Sequence, residues 1–119
     1  MKNKYKLILF DLDGVIVNSK KNMELSWRSV QDKYKIKASF SNYFSLIGRP
    51  FSDIMNKLHI YDDLESIQST YEQTSLKEID SVIFYRLIVE LLEKIKENSK
   101  VGVVTSKDEY RTKIFLSKL

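Results

Sequence analysis

The sequence predicts an α/β protein in which a parallel sheet is interrupted by a helical insertion after its first strand. Two short apolar runs, Leu7 to Phe10 and Lys100 to Thr105, have the pattern of strands buried on both faces, as in parallel sheets. The segment between these runs shows helical periodicity, and a further helix follows the second run. This order of elements predicts an α/β unit with an insertion directly after its first strand.

Helical periodicity in the insertion is carried by three stripes of apolar residues. A helix over Lys20 to Tyr34 has apolar residues at positions i, i+4, i+7 and i+11, namely Met23, Trp27, Val30 and Tyr34. After the break at residues 48–50, a second stripe is formed by Phe51, Ile54, Met55 and Leu58. A third, weaker stripe comprises Leu64, Ile67 and Tyr71. We interpret all three stripes as core-facing sides of helices.

Two further helices flank the second strand. The helix before it has the broadest apolar face, made of Leu87, Ile88, Leu91, Leu92 and Ile95. The last helix, over Asp108 to Leu119, has a stripe of Tyr110, Ile114 and Phe115. We therefore predict a partial α/β core over residues 1–17 and 85–119 and an α-helical insertion over residues 18–84.

Composition and charge narrow the class of protein. The chain is 43% hydrophobic and 30% charged, which is ordinary for a globular domain. Its apolar runs are far below the roughly 18–20 residues that cross a bilayer, and the basic N-terminus precedes too short an apolar run for a signal peptide. We therefore expect a cytoplasmic protein without a membrane partner. The net charge of +4 comes from dispersed basic residues, which favours a solvated surface over nucleic-acid binding.

Two carboxylates follow the first predicted strand, Asp11 and Asp13. In open parallel sheets, ligands bind beyond the carboxyl ends of the strands, which is where these aspartates fall. Two carboxylates this close repel each other unless a cation lies between them. The chain has no cysteine, so oxygen atoms are the natural metal ligands, and Mg²⁺ is the expected cation.

Phosphate-binding candidates lie beside these carboxylates and at the end of the second strand. Gly14 allows a tight turn and a close approach of backbone N–H groups to phosphate oxygens. The hydroxyls of Thr105 and Ser106 and the ammonium of Lys107 follow the second strand, at the start of the last helix. The D-x-D-G pattern alone also fits a surface turn, but the glycine spacing excludes an EF-hand and no P-loop pattern is present.

The two motifs together resemble those of the haloacid-dehalogenase-like hydrolases. The stretch FDLDGVIVNS is similar to the first motif of that family, and VGVVTSK is similar to its second. The helical insertion resembles the family's C1 cap, and residues 47–50 resemble the stretch before a cap helix. The resemblance is greatest to the phosphoglycolate-phosphatase and β-phosphoglucomutase-like branch, and it implies a Rossmann-like core with two of its strands present.

The resemblance also implies roles for individual residues. Asp11 would be the nucleophile that forms an aspartyl-phosphate, and Asp13 would be the general acid and base. Mg²⁺ would be bound by the Asp11 carboxylate and the Asp13 backbone carbonyl, and Thr105 would hold a phosphoryl oxygen. Ser106 and Lys107 are lesser phosphate-binding candidates, and Arg49 in the insertion is a candidate for substrate contact. The expected function is Mg²⁺-dependent hydrolysis of a small phosphorylated metabolite.

Two alternatives to this function remain open at the level of sequence. A phosphomutase of the same family would share both aspartates. The chain stops before the third and fourth strands of the family pattern, which supply a lysine and further acidic ligands, so we expect a truncated protein. An inactive remnant or binding module would fit the same observation. A core with two strands leaves an unpaired sheet edge, through which the chain is expected to self-associate.

Overall fold

A computed structural model describes residues 7–118 of the chain as an α/β fold. The strands are β1 (Leu7–Asp11), β2 (Val17–Asn18), β3 (Ile83–Phe84) and β4 (Lys100–Val104). The helices are α1 (Lys20–Tyr34), α2 (Phe40–Phe44), α3 (Phe51–Lys57), α4 (Leu64–Lys77), α5 (Arg86–Ile95) and α6 (Glu109–Ser117), with a 3₁₀ turn at Ile79–Ser81. Strands β1 and β4 pair in parallel, with Asp11 opposite Val104. The predicted fold class, a parallel two-stranded sheet with helices, is therefore confirmed.

Helices α1 to α4 share a hydrophobic cluster of their own. Its buried members are Trp27, Val30, Tyr43, Ile54, Met55, Ile67 and Tyr71. The Trp27 ring stacks on Tyr43 with a centroid distance of 4.4 Å, and its Nε1–H donates to the Ala38 carbonyl at 2.9 Å. Because the indole N–H has an acceptor, this large side chain is buried without an unsatisfied donor.

Helices α1 and α4 are joined by a buried polar contact as well as by apolar packing. The Asn22 side-chain amide donates to the backbone carbonyls of Ser75 and Glu78 at 2.9 and 3.0 Å. The Ser75 hydroxyl donates to Asn22 Oδ1 at 3.0 Å. Asn22 is 1% exposed, so these bonds satisfy its amide in the absence of solvent and fix the end of α4 against α1.

A second, smaller cluster lies beneath the sheet, around the turn after β1. Leu12, Ile16 and Val17 are buried there, and partly buried residues pack around them: Phe10, Val82, Phe84, Ile88, Leu92, Val103 and Leu116. Strands β2 and β3, which pair antiparallel, connect the two ends of the insertion where it leaves and rejoins the sheet. These two-residue strands were not predicted, since they are too short to give a periodicity.

Burial of the strands and of α5 differs from the sequence-based expectation. Leu7 and Leu9 are 64% and 55% exposed, so β1 is not buried on both faces. Leu87 and Leu91 on α5 are also exposed, whereas Ile88 packs on the second cluster. The physical reason is that no element among residues 7–118 covers the other face of the sheet or the outer side of α5. Within the same residues, no helix is long and apolar enough to cross a membrane.

Candidate active site

Asp11 and Thr105 lie at the same edge of the sheet, at the carboxyl ends of the two parallel strands. Asp11 is the last residue of β1 and is paired in register with Val104, the last residue of β4. Both Asp11 and Thr105 line a cavity of about 310 Å³ that also includes Ser106. Asp11 is exposed, and its Oδ1 accepts the Leu12 N–H at 2.8 Å. A carboxylate placed this way is accessible to a ligand that enters from the sheet edge.

A tight turn after β1 carries the chain from Asp11 to β2. Gly14 has a φ of 85°, a left-handed conformation that glycine adopts without strain. Its N–H donates to the Val17 carbonyl at 2.7 Å, and the N–H groups of Ile16 and Val17 converge on the Leu12 carbonyl. Gly14 does not line the cavity that contains Asp11 and Thr105. In this arrangement its amide is engaged within the turn, so a direct contact of Gly14 with phosphate stays a prediction.

Asp13 is held by two side chains that converge on its carboxylate. The Ser19 hydroxyl donates to Asp13 Oδ1 at 2.6 Å, and Lys107 Nζ lies 3.7 Å from Asp13 Oδ2. The side chains of Lys107 and Asp13 are 6% and 15% exposed. Ser19 was not singled out from the sequence, although it ends the first motif. The structure thus joins one predicted residue of each motif, Asp13 and Lys107, in a buried ion pair.

Lys107 is buried between an aromatic ring and charged side chains. Its ammonium lies over the Phe115 ring, 4.4 Å from the centroid, and Phe115 is fully buried. Burial lowers the pKa of Lys107 below its ordinary value, and the Asp13 carboxylate offsets this effect only in part. The Arg111 charge lowers the pKa further. The Lys107 ammonium has therefore lost its hydrating water and gained few protein contacts in exchange. Binding of an anion would stabilise its charge.

The hydroxyl of Thr105 organises the loop after β4. Its Oγ1 accepts the Lys107 backbone N–H at 3.1 Å, which leaves the hydroxyl hydrogen free to donate to another oxygen. Ser106 is exposed and lines the cavity that contains Asp11 as well as the one that contains Asp13. Asp108 caps α6 by accepting the Arg111 N–H at 2.8 Å, so a carboxylate already occupies that helix N-terminus.

A second cavity of about 310 Å³ lies between the insertion and the loop after β4. Asp13, Lys107 and Arg111 line it from one side, and Tyr43, Arg49 and Tyr71 line it from the other, together with other residues of the insertion. Arg49 is exposed and forms no ion pair among residues 7–118. Burial raises the pKa of Tyr43 to about 12 and that of Tyr71 well above its ordinary value, so both phenols stay protonated. We call this cavity the interface cleft.

Arg111 was missed by the sequence analysis, which predicted Tyr110, Ile114 and Phe115 as the inner face of the last helix. Arg111 is 8% exposed, whereas Tyr110 is 68% exposed. Phe115 is buried as predicted. The spacing of Lys107, Arg111 and Phe115, four residues apart, is the signal that identifies the inner face. A hydrophobicity pattern cannot find it, because Arg111 is buried through ion pairs with Asp108 and Glu72.

A magnesium site can be assessed from the donor set. The Asp11 carboxylate forms no ion pair with a described cation and offers the hard oxygen ligand that Mg²⁺ prefers. The Asp13 carboxylate is engaged by Ser19 and Lys107, which leaves its backbone carbonyl, the donor that the family resemblance implies. Among residues 7–118, no three acidic or histidine side chains converge on one point. The donors fit Mg²⁺ that keeps several of its water ligands.

Comparison with protein families gives a match over nearly the whole chain. A family model described as haloacid dehalogenase-like hydrolase matches residues 8–119. A comparison with curated proteins gave no match.

Solved structures with the same fold are numerous. A hydrolase from Pseudomonas syringae shares 26% identity with a TM-score of 0.84, covering 98% of this chain and 56% of that protein. A predicted phosphatase from Clostridium acetobutylicum shares 23% identity with a TM-score of 0.83 and the same coverage. A predicted phosphoglycolate phosphatase from Haemophilus somnus shares 22% identity with a TM-score of 0.78, covering 97% of this chain and 57% of that one. The latter two show likeness of fold alone, and the chain spans a little over half the length of each of these proteins.

Proposed function

The chain belongs to the haloacid dehalogenase-like hydrolase family, and on that premise we propose that it carries the reaction centre of a Mg²⁺-dependent phosphatase. One observation carries the proposal. The carboxylate of Asp11 and the hydroxyl of Thr105 line one cavity at the carboxyl ends of paired parallel strands, and Asp13 follows two residues after Asp11. A nucleophile, a hydroxyl donor and a second carboxylate are the groups that phosphoryl transfer through an aspartyl-phosphate requires.

In the proposed reaction, an Asp11 carboxylate oxygen attacks phosphorus as the bond to the leaving alcohol oxygen breaks. Asp13 enters this step protonated, gives its proton to that oxygen and becomes the carboxylate that pairs with Lys107, and the product is an alcohol and an aspartyl-phosphate. Asp13 then accepts a proton from water as the water attacks phosphorus, which releases phosphate and restores Asp11. Thr105 donates its free hydroxyl hydrogen to a phosphoryl oxygen. We propose that Ser106 and Lys107 contact the same phosphate. Ser106 lines the cavity that contains Asp11 and Thr105, and Lys107 follows it in the chain.

Bound Mg²⁺ would neutralise charge that accumulates on the phosphoryl oxygens. We propose that the Asp11 carboxylate and the Asp13 backbone carbonyl hold it. The support is the chemistry of these donors: Asp11 is exposed and without a cationic partner among residues 7–118, and oxygen ligands suit a hard cation.

The substrate we propose is a small phosphorylated metabolite. The interface cleft is about 310 Å³, at the lower end of the sizes typical of ligand pockets. Arg49 lines it and has no acidic partner among the described residues, which supports a contact with an anionic substrate. We also propose that residues 18–84 act as a cap over a core formed by residues 1–17 and 85–119. The first hydrophobic cluster lies wholly within residues 18–84, which supports this division, and Val82 and Phe84 join the second cluster where the insertion returns to the sheet.

Phosphate release from a generic phosphomonoester tests the proposal. The 119-residue chain is assayed with p-nitrophenyl phosphate over a titration of Mg²⁺. We expect Mg²⁺-dependent release that Asp11→Asn abolishes and that Asp32→Asn, an exposed aspartate on α1, leaves unchanged. Activity that survives Asp11→Asn would contradict the nucleophile assignment. A folded chain that releases no phosphate would favour one alternative, a catalytically inactive member that binds phosphate esters. Transfer of the phosphoryl group to a sugar instead of water would identify the other alternative, a mutase.

A further inference from the structure

Arg111 is a buried arginine at the boundary between α6 and the insertion. Its Nε donates to Asp108 Oδ2, and its Nη2 lies 4.0 Å from Glu72 Oε2 on α4. Its Nη1 is buried and has no hydrogen-bond partner among the described residues. The side chain is 10% exposed, so nine-tenths of it is shielded from solvent.

A purely structural role accounts for only part of this arrangement. Arg111 ties α6 to α4, but the contact with Glu72 exceeds hydrogen-bond distance, and the guanidinium lies 5.8 Å from the centroid of the Tyr71 ring. Leaving a buried donor unpaired costs about 1–3 kcal/mol, and more when the group is charged. Native structures almost always satisfy such groups, so Nη1 calls for an acceptor that residues 7–118 do not provide.

The location of Arg111 indicates where that acceptor comes from. Arg111 and Asp13 line the same interface cleft, whose volume of about 310 Å³ is small enough for one metabolite to contact both. The other cation on that side, Lys107, is already paired with Asp13. Arg111 therefore lines a cavity that adjoins the reaction centre and carries an Nη1 group that no described residue pairs with.

We propose that Arg111 binds a second oxyanion, a carboxylate or a phosphate, on the phosphomonoester that this site accepts. The inference rests on the proposed function and adds the class of substrate to it. The planar guanidinium suits either oxyanion, because two of its N–H groups can donate in parallel to two oxygens. Asp108 fixes the Nε edge of Arg111 and Glu72 lies 4.0 Å from Nη2, so a ligand would pair with Nη1 and compete with Glu72 for Nη2.

Glu72 provides the means to separate this role from a structural tie. Its carboxylate lies near the Nη2 group and so competes with an anionic ligand for the guanidinium. Replacing Glu72 with Gln removes that competition, whereas replacing Arg111 with Gln removes the donor. A substrate-binding Arg111 therefore predicts opposite effects of the two substitutions on ligand affinity. A tie between α4 and α6 predicts effects in the same direction, because each substitution breaks the tie.

Calorimetric titration of the 119-residue chain measures these effects without turnover. The probes are 2-phosphoglycolate, which adds a carboxylate, ethylene glycol bisphosphate, which adds a phosphate, and ethyl phosphate, which adds neither. We expect one of the first two to bind about tenfold more tightly than ethyl phosphate, which identifies the oxyanion. Arg111→Gln should abolish this preference and leave the affinity for ethyl phosphate unchanged. Arg111→Lys should keep only part of the preference, and Glu72→Gln should increase the preference about threefold.

Several results would overturn the inference. Equal affinity of the wild-type chain for all three probes contradicts a second oxyanion site, as does a uniform loss for all three in Arg111→Gln. Glu72→Gln retains the buried cation and is the safer variant for folding. If this variant loses the preference, Arg111 acts by joining α4 to α6 and does not bind the ligand. A charge preference that persists in a chain without phosphatase activity refutes the proposed hydrolysis but supports the binding site, so the two failures are distinguishable.

Discussion

Replacing Asp13 with Asn is expected to destabilise the chain more than replacing its partner Lys107 with Met. Lys107 Nζ lies 3.7 Å from Asp13 Oδ2, and the side chains are 6% and 15% exposed. Two unit charges at about 4 Å attract by about 4 kcal/mol at the effective dielectric constant of protein sites. Burial opposes this attraction, because it costs free energy to remove the ammonium from water.

The two substitutions differ in what they leave behind. Asp13→Asn keeps an acceptor for the Ser19 hydroxyl but leaves the Lys107 ammonium buried without a counter-charge, at a cost of about 2–4 kcal/mol. Lys107→Met removes the buried charge and keeps a contact with the Phe115 ring, so we expect a cost of about 0–1 kcal/mol. The double variant should resemble Lys107→Met, so the coupling free energy equals the cost of Asp13→Asn alone, about 2–4 kcal/mol.

Urea-induced unfolding at pH 7, followed by circular dichroism, measures the free energy of unfolding of the four proteins. Ser19→Ala is the matched control, because it removes a neutral hydrogen bond to the same carboxylate and should cost about 1 kcal/mol. A coupling free energy below about 0.5 kcal/mol would refute the reasoning. So would an Asp13→Asn variant that is as stable as the wild-type chain.

Three further predictions concern stability and association. Asn22→Ala removes two donated hydrogen bonds and one accepted bond, and should lower the free energy of unfolding in urea by about 2–4 kcal/mol; no change would mean that α1 and α4 do not depend on this contact. Burial raises the pKa of Asp108, but hydrogen bonds from Arg111 outweigh that effect and lower the pKa below 3.8. The stabilisation from Asp108 is therefore present above pH 3.8 and lost as the pH falls through the folded-state pKa. The free energy of unfolding of Asp108→Asn should therefore depend less on pH in the acid range than that of the wild-type chain. Leu87 and Leu91 are 80% and 43% exposed, and we expect the chain to self-associate through this face of α5. The Leu87→Lys/Leu91→Lys variant should then associate less than the wild-type chain in sedimentation velocity, with the same urea midpoint; equal association of the two proteins would exclude this face.

The positions of the main elements could be predicted from the sequence, because local signals determine them. The helix predicted over Lys20 to Tyr34 has those bounds in the structure, and the strand predicted from Lys100 ends one residue earlier than expected. Periodic apolar residues and the break at residues 48–50 are enough to locate these elements, because both signals are read from residues that are close together in the chain.

Exposure and pairing could not be predicted, because they depend on what packs against each element. Leu9 has the composition of a buried strand residue, yet its exposure is set by the absence of a covering layer among residues 7–118. Arg111 looks like a surface residue in sequence, and its burial depends on Glu72 on another helix. Asp11 and Asp13 were identified as candidates, but the separate environments of the two carboxylates, one exposed and one paired with Lys107, emerge only from the fold.

The identity of the nucleophile is tested most directly by trapping the covalent intermediate. The 119-residue chain is incubated with Mg²⁺ and acetyl phosphate, and any acyl-phosphate is reduced by borohydride to an alcohol that mass spectrometry locates in the chain. We predict homoserine at Asp11, with Asp13 unmodified, and no trapped product in Asp11→Asn. Reduction at Asp13, or phosphate release by a chain in which Asp11 is never modified, would contradict the account.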